Sequence, residues 1–148
     1  MKDEPFVIER TLNASPERVW KAITNKDQMK EWYFNLAEFE PEVGFEFTFN
    51  GGSEDKTYVH LCKITKVESG KLLQYSWCYR DYPGNSFVTW ELFPEGDKTR
   101  LKLTHDGLET FPTDNKDFAR SSFEAGWTYI IGTSIVDFFE KQAETLSK

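Results

Sequence analysis

Apolar and polar positions recur along this chain with two different periods, and the places where the period changes mark its elements. Phe6, Ile8 and Leu12 alternate with Val7, Glu9 and Thr11, which predicts a half-buried strand over 6–12 whose inner side is interrupted by Arg10. Ser15 followed by Pro16 reads as a helix start, since the hydroxyl can cap and proline's missing N–H costs nothing at the first helical position. A helix over 16–24 then buries Val19, Trp20 and Ile23. After Asn25 a second short helix presents Met29, Trp32 and Tyr33 at i, i+3 and i+4. Helices this short are unstable alone and must rest on something larger.

From Leu36 to His105 the period is two, broken by turn chemistry at Glu42-Val43-Gly44, Gly51-Gly52-Ser53, Ser69-Gly70, Pro83-Gly84-Asn85 and Glu95-Gly96-Asp97. Strands are predicted at about 36–40, 44–50, 57–67, 72–80, 86–93 and 99–106, seven with the first. Short connections favour an antiparallel meander, because parallel pairs need long crossovers. Beyond Pro112 the helical period returns. Ser121-x-x-Glu124 has the form of a capping box, and Phe123, Trp127, Ile130, Ile131, Ile135, Phe138 and Phe139 make one apolar stripe on a helix over 121–145. Gly126 and Gly132 weaken that helix and suggest close approach of its backbone to the sheet.

Strand parity sorts side chains by face. If Ser69-Gly70 is a two-residue turn, Ile64 opposes Tyr75, Cys62 opposes Trp77 and His60 opposes Tyr79, all on one face. Cys78 then falls on the other face, so a disulfide to Cys62 is excluded and both thiols are expected free. The same face collects Phe45, Phe47 and Phe49, Val88, Trp90 and Leu92, and Leu101, Leu103 and His105, with the helix stripe as its lid. Its polar members are Arg10, Tyr58, His60, Tyr75, Tyr79 and His105.

Composition sharpens this picture. The 148 residues suit one domain spanning 1–148, long enough to bury about two thirds of its unfolded surface. Aromatic residues reach 16% although mean hydropathy is −0.61, so a few very large groups must build the interior. Those rings either fill a core or line a hole. A net charge of −7 repels phosphate backbones and anionic membrane surfaces, which argues against nucleic acid as a partner. With no apolar run of spanning length and no signal-peptide pattern after Met1, no integral membrane association and a cytoplasmic location are expected.

Common catalytic signatures are missing. The chain has no phosphate-binding glycine loop, dinucleotide fingerprint, zincin motif or nucleophile elbow. Two histidines on different strands, with Cys62 the one inward thiol, make a weak metal set, so neither metal nor cofactor is expected. His105 and Asp106 are neighbours in a strand and point to opposite faces, so they form no dyad.

Several motifs together resemble the Aha1-type branch of the START-like (SRPBCC, Bet v 1-like) superfamily. They are Asn13-Ala14-Ser15-Pro16-Glu17-Arg18-Val19-Trp20-Lys21-Ala22-Ile23-Thr24 with Trp32, Leu73-Gln74-Tyr75-Ser76-Trp77, Val88-Thr89-Trp90-Glu91-Leu92, Thr99 to Leu108, and Gly126-Trp127. The resemblance covers about residues 5–145. It implies an α+β helix-grip fold: a curved seven-stranded antiparallel sheet wrapped around a long C-terminal helix, with two short helices after the first strand. It further implies a cavity between sheet and helix that relatives use for hydrophobic molecules. Where that branch carries a double glycine, this chain has Val43-Gly44-Phe45, and the Phe is expected to narrow the space. The eukaryotic Hsp90 activator carries an additional N-terminal domain for which this length leaves no room, so chaperone activation is not implied.

The reading that follows is a non-enzymatic binder of a hydrophobic or amphipathic small molecule, lipid-like or polycyclic. Its expected contacts are Arg10, Trp32, Phe47, His60, Tyr75, Trp77, Tyr79, Trp90, His105 and Trp127, with no catalytic residue assigned. Two other classes stay open: a chaperone-associated or regulatory module that contacts a protein partner, and a cyclase- or hydratase-type enzyme using His105 or His60.

Overall fold

The computed structural model describes residues 4–33, 38–53, 56–112, 118 and 120–146. The chain begins with β1 (Phe6–Leu12), and the Ser15 hydroxyl then accepts the Arg18 N–H to open α1 (Pro16–Thr24). Asn25 ends α1 and caps α2 (Lys26–Trp32) through its side-chain oxygen, 3.1 Å from the Gln28 nitrogen. One residue thus joins two helices, which fixes the angle between them. Then follow β2 (Glu46–Ser53), β3 (Lys56–Glu68), β4 (Leu72–Tyr79), β5 (Ser86–Glu95) and β6 (Lys98–Asp106). Among the described residues the sheet has six antiparallel strands in the order β1-β6-β5-β4-β3-β2.

That corrects the expected count of seven. The strand predicted at 36–40 lies partly outside the described residues, and 38–40 are not strand. Phe39 is buried there against Phe47 and Phe45, so its apolar character serves packing rather than a ladder. The strand predicted from 44 starts at Glu46, because Gly44 takes a left-handed φ of +94° and turns the chain in.

The three cross-strand pairs predicted between β3 and β4 all form, for a different reason. The connection is a three-residue turn, Ser69 to Lys71, so the pairs nearest it are Glu68 with Leu72, Val67 with Leu73 and Lys66 with Gln74. A bulge at Thr65 then takes back the extra residue and restores Ile64 with Tyr75, Cys62 with Trp77 and His60 with Tyr79. The six side chains share the inner face, and Cys62 and Cys78 are free thiols on opposite faces.

Over this face runs the C-terminal helix, α3 (Arg120–Tyr129) and α4 (Ile135–Leu146) joined by a wide π turn at Ile130–Ser134. Its stripe is buried as predicted apart from the partly exposed Ile130. The capping box is not made: Ser121 already lies inside the helix and Glu124 binds Arg120 one turn earlier. At Gly126 a Cβ would meet open space, so no close approach to the sheet explains it. At Gly132 the near neighbour is the Arg10 guanidinium, 3.0 Å from an added Cβ. Arg10 pairs with Leu101 and so has inward parity, but β1 is an edge strand and its side chain reaches solvent past the π turn. The expectation of a buried guanidinium is therefore corrected.

The core occupies the space between the inner sheet face and the C-terminal helix, with α1 and α2 closing one end through Val19, Ala22, Ile23, Met29 and Trp32. Among the described residues no helix is long and apolar enough to cross a membrane.

Candidate functional site

The rings meet across the gap. Trp127 of α3 lies 5.6 Å from Trp77, 5.8 Å from Trp90 and 5.8 Å from His105, centroid to centroid. Helix and sheet thus touch through aromatic side chains, each such pair worth about 0.5–1.5 kcal/mol beyond its buried area. Polar atoms are set among them in three groups.

The first group centres on His105, fully buried on β6. Trp127 Nε1 donates to His105 Nδ1 at 2.8 Å, and His105 Nε2 lies 2.8 Å from Ser86 Oγ. An indole N–H can only donate, so Nδ1 accepts and the neutral ring carries its proton on Nε2. That proton goes to Ser86, whose own hydroxyl donates to the Trp77 carbonyl at 2.8 Å. Every ring nitrogen is used, and the chain ties α3 to β4, β5 and β6. Burial lowers the His105 pKa to about 3, because the charged ring would lose its hydration there.

The second group joins α2 to the sheet. Tyr33 Oη lies 2.9 Å from Tyr75 Oη, and Trp90 Nε1 donates to Tyr75 Oη at 3.1 Å. The Tyr33 ring lies near-parallel to both Trp32 and Trp127, with centroids 5.2 and 6.2 Å away and planes at 29° and 20°. It meets Trp90 edge-on at 5.7 Å. Phe47 in turn packs its edge on Tyr75 at 5.1 Å. Burial holds both phenols well above the ordinary tyrosine range, so both are neutral.

The third group lies toward the other end. His60 stacks on Phe49 at 4.4 Å and meets Trp77 and Tyr79 edge-on. Its Nδ1 is 3.1 Å from the Tyr58 carbonyl. Burial lowers its pKa to about 4, outweighing the opposing pull of hydrogen bonds to the Tyr58 and Phe49 backbone. Trp77 Nε1 donates to Tyr79 Oη at 2.8 Å, and Tyr79 continues into Tyr58, Phe111 and Phe118.

Of the ten residues predicted for the site, nine are buried between the inner sheet face and the helices and lie in these groups or beside them. Arg10 stands apart at the sheet edge. Sequence reasoning missed Ser86, Phe49 and Tyr33 as members. Ser86 was discoverable, because it shares the parity of Val88 and Trp90 and a small hydroxyl at an inward position needs a partner. Tyr33 was placed on a helix face, and nothing in its spacing signals a phenol partner 42 residues away. Among the described residues no three of His, Cys, Asp and Glu come together as metal ligands.

Comparison with known proteins now bears on the site. The family model described as activator of Hsp90 ATPase homolog 1-like protein matches residues 13–140. No curated protein matches the chain. Among solved structures, the protein MLL2253 from Mesorhizobium loti is 28% identical, with 97% of each chain covered and a TM-score of 0.66. Mll3558 from Rhizobium loti is 21% identical over 91% of this chain and 96% of its own, with a TM-score of 0.75. DynU16, a putative protein of the dynemicin biosynthetic locus, is 18% identical over 88% of this chain and 45% of its own, with a TM-score of 0.71. The last two likenesses are of fold alone.

Proposed function

The chain belongs to the activator of Hsp90 ATPase homolog 1-like family, and from that premise we propose that it binds a hydrophobic or amphipathic small molecule between the sheet and the C-terminal helix, without catalysing a reaction on it. The observation that carries this reading is the Tyr33, Tyr75 and Trp90 group, three polar atoms converging inside a wall of rings. Apolar sites with a few placed polar groups are the usual make-up of small-molecule sites. The wall supplies affinity through ring contacts and the hydroxyls supply orientation. Ligand entry exchanges ring contacts within the protein for ring contacts to the ligand, so little net contact is lost.

An enzymatic role for His105 is opposed by its geometry. A general base must offer a free lone pair, and the one lone pair of this ring is held by Trp127. Its Ser86 neighbour accepts a hydrogen bond from the ring instead of donating one, the reverse of an activated serine. His60 has a pKa of about 4 and is a poor base at neutral pH.

The test is a titration with the neutral fluorescent probe N-phenyl-1-naphthylamine, followed by its own emission and by tryptophan quenching. Saturable one-to-one binding that weakens on Phe49→Ser supports the reading. Absence of saturable binding, together with capture of a stoichiometric protein partner by the intact chain at low salt, would replace it with the interaction reading.

A further inference from the structure

The arrangement around Tyr33 says more about the ligand than that it is apolar. Trp32, the residue before it, is fixed twice: its Nε1 donates to the Ala22 carbonyl at 3.0 Å, and its own carbonyl accepts Ser134 Oγ at 2.5 Å. Tyr33 is the first residue beyond that anchorage. Its N–H makes the closing hydrogen bond of α2, to Met29, and its backbone then leaves helical geometry at φ −125° and ψ −111°. The residue is half-buried overall, and its hydroxyl meets Tyr75 of β4.

The walls around the ring have fixings of their own. Trp127 is held by His105, Tyr75 by Trp90, and Trp32 by Ala22. Withdrawal of Tyr33 would therefore leave a slot rather than a collapsed core. The indoles of Trp32 and Trp127 lie near-parallel to the present ring, with centroids 5.2 and 6.2 Å from it, so the space it leaves suits a flat ring. At its floor stands Tyr75 Oη, still accepting from Trp90 but lacking the partner that Tyr33 gave it at 2.9 Å. A buried hydroxyl without that partner costs about 1–3 kcal/mol, which an incoming hydroxyl recovers and a bare hydrocarbon does not.

Resting on the binding reading above, we infer that Tyr33 is an internal stand-in for the ligand, and that the ligand presents a flat hydroxylated aromatic ring, a phenol, to the slot lined by Trp32 and Trp127. Tyr33 must withdraw before the ligand's ring enters. Apparent affinity is then reduced by the fraction of time the slot is free, and removing the side chain abolishes that penalty.

The experiment compares p-cresol and toluene, which differ by one hydroxyl, on the intact protein and on Tyr33→Ala, by calorimetry and tryptophan fluorescence. Expected is p-cresol binding at least about 10-fold tighter to Tyr33→Ala, as follows if the slot is free no more than a tenth of the time in the native chain. Toluene should bind Tyr33→Ala several-fold more weakly than p-cresol, and adding Tyr75→Phe should erase that preference. Equal p-cresol affinity in the two proteins, or equal affinity for the two probes in Tyr33→Ala, overturns the inference. If Tyr33→Ala does not fold, the native chain labelled with 3-fluorotyrosine decides: saturating p-cresol must move the Tyr33 fluorine signal to a solvent-exposed position, and an unmoved signal overturns the inference. The naphthylamine probe separates the two readings. Bound alike by both proteins with no p-cresol effect, it leaves general binding standing and removes the stand-in. Bound by neither, it removes both.

Discussion

The His105 group and the Tyr33 group are built from the same materials, indoles and polar rings buried between helix and sheet, yet they do opposite jobs. Around His105 every partner sits inside a strand or a long helix, and each donor meets one acceptor in a closed sequence from Trp127 to the Trp77 carbonyl. Around Tyr33 two partners sit in strands, but the third is the half-buried residue that ends a short helix. Composition does not separate a lock from a site. What separates them is whether one member can leave while the others keep fixings of their own.

The largest effect expected from that difference is in stability. Trp127→Ala removes the ring that touches Trp77, Trp90 and His105 and leaves His105 Nδ1 without its donor, so about 3–5 kcal/mol should be lost. Tyr33→Ala should cost less, about 2–3 kcal/mol, because Tyr33 is half-buried at a helix end whereas Trp127 is buried in mid-core. Urea unfolding of both variants checks the pair. Equal losses would break the distinction and make Tyr33 plain core.

Acid should act mainly through the locked histidines. Unfolded, each takes a proton below its ordinary pKa of about 6.5. Folded, His105 waits until about 3 and His60 until about 4. Between those values the unfolded chain binds more protons, so the contribution is complete above about pH 6.5 and falls as pH drops toward the folded values. From pH 6.5 to 4.5 the loss should be on the order of 2–3 kcal/mol per histidine. Urea midpoints at the two pH values measure it, and His105→Gln should flatten the dependence while lowering stability at pH 7. A 15N spectrum at pH 7 should show His105 protonated at Nε2; the other tautomer would undo the lock.

Ser86→Ala is the next test in size. It leaves the His105 Nε2 proton without its acceptor, at a cost of about 1–2 kcal/mol, and should leave p-cresol binding to Tyr33→Ala unchanged. Coupled loss of binding would mean that the two groups are one.

Much of the fold was legible because strand parity is stiff. Once Tyr75, Trp77 and Tyr79 alternate in β4, the pleat sends all three to one side, and β3 and β5 must match them. The three-residue turn and the Thr65 bulge were not legible, since each shifts the register by one and their effects cancel. Arg10 shows the limit of parity, which gives a direction but not whether anything lies there to cover the side chain. The partners within each aromatic group were hidden for a related reason. That Trp127 Nε1 meets His105 Nδ1 depends on where α3 lies over the sheet, and no local pattern states that placement.

The smallest predicted effect concerns the helix that serves both groups. Gly126 is exposed in regular α3, and an added Cβ meets nothing within 4 Å, so Gly126→Ala should gain stability by up to about 1 kcal/mol through helix propensity alone. Gly132 lies in the π turn, where a Cβ stands 3.0 Å from Arg10 Nη2. That nitrogen ends a long, solvent-reaching side chain that can shift by a few tenths of an ångström, so Gly132→Ala should be close to neutral. Both are read by thermal melts. Their second readout is p-cresol affinity in the Tyr33→Ala background. Stiffening at 126 lies one residue from Trp127, a wall of the slot. If that wall is as fixed as its bond to His105 suggests, Gly126→Ala raises the melting temperature and leaves affinity alone. A loss of affinity would show that α3 itself gives way to admit the ring, and the mobile member of the Tyr33 group would be the helix rather than the tyrosine.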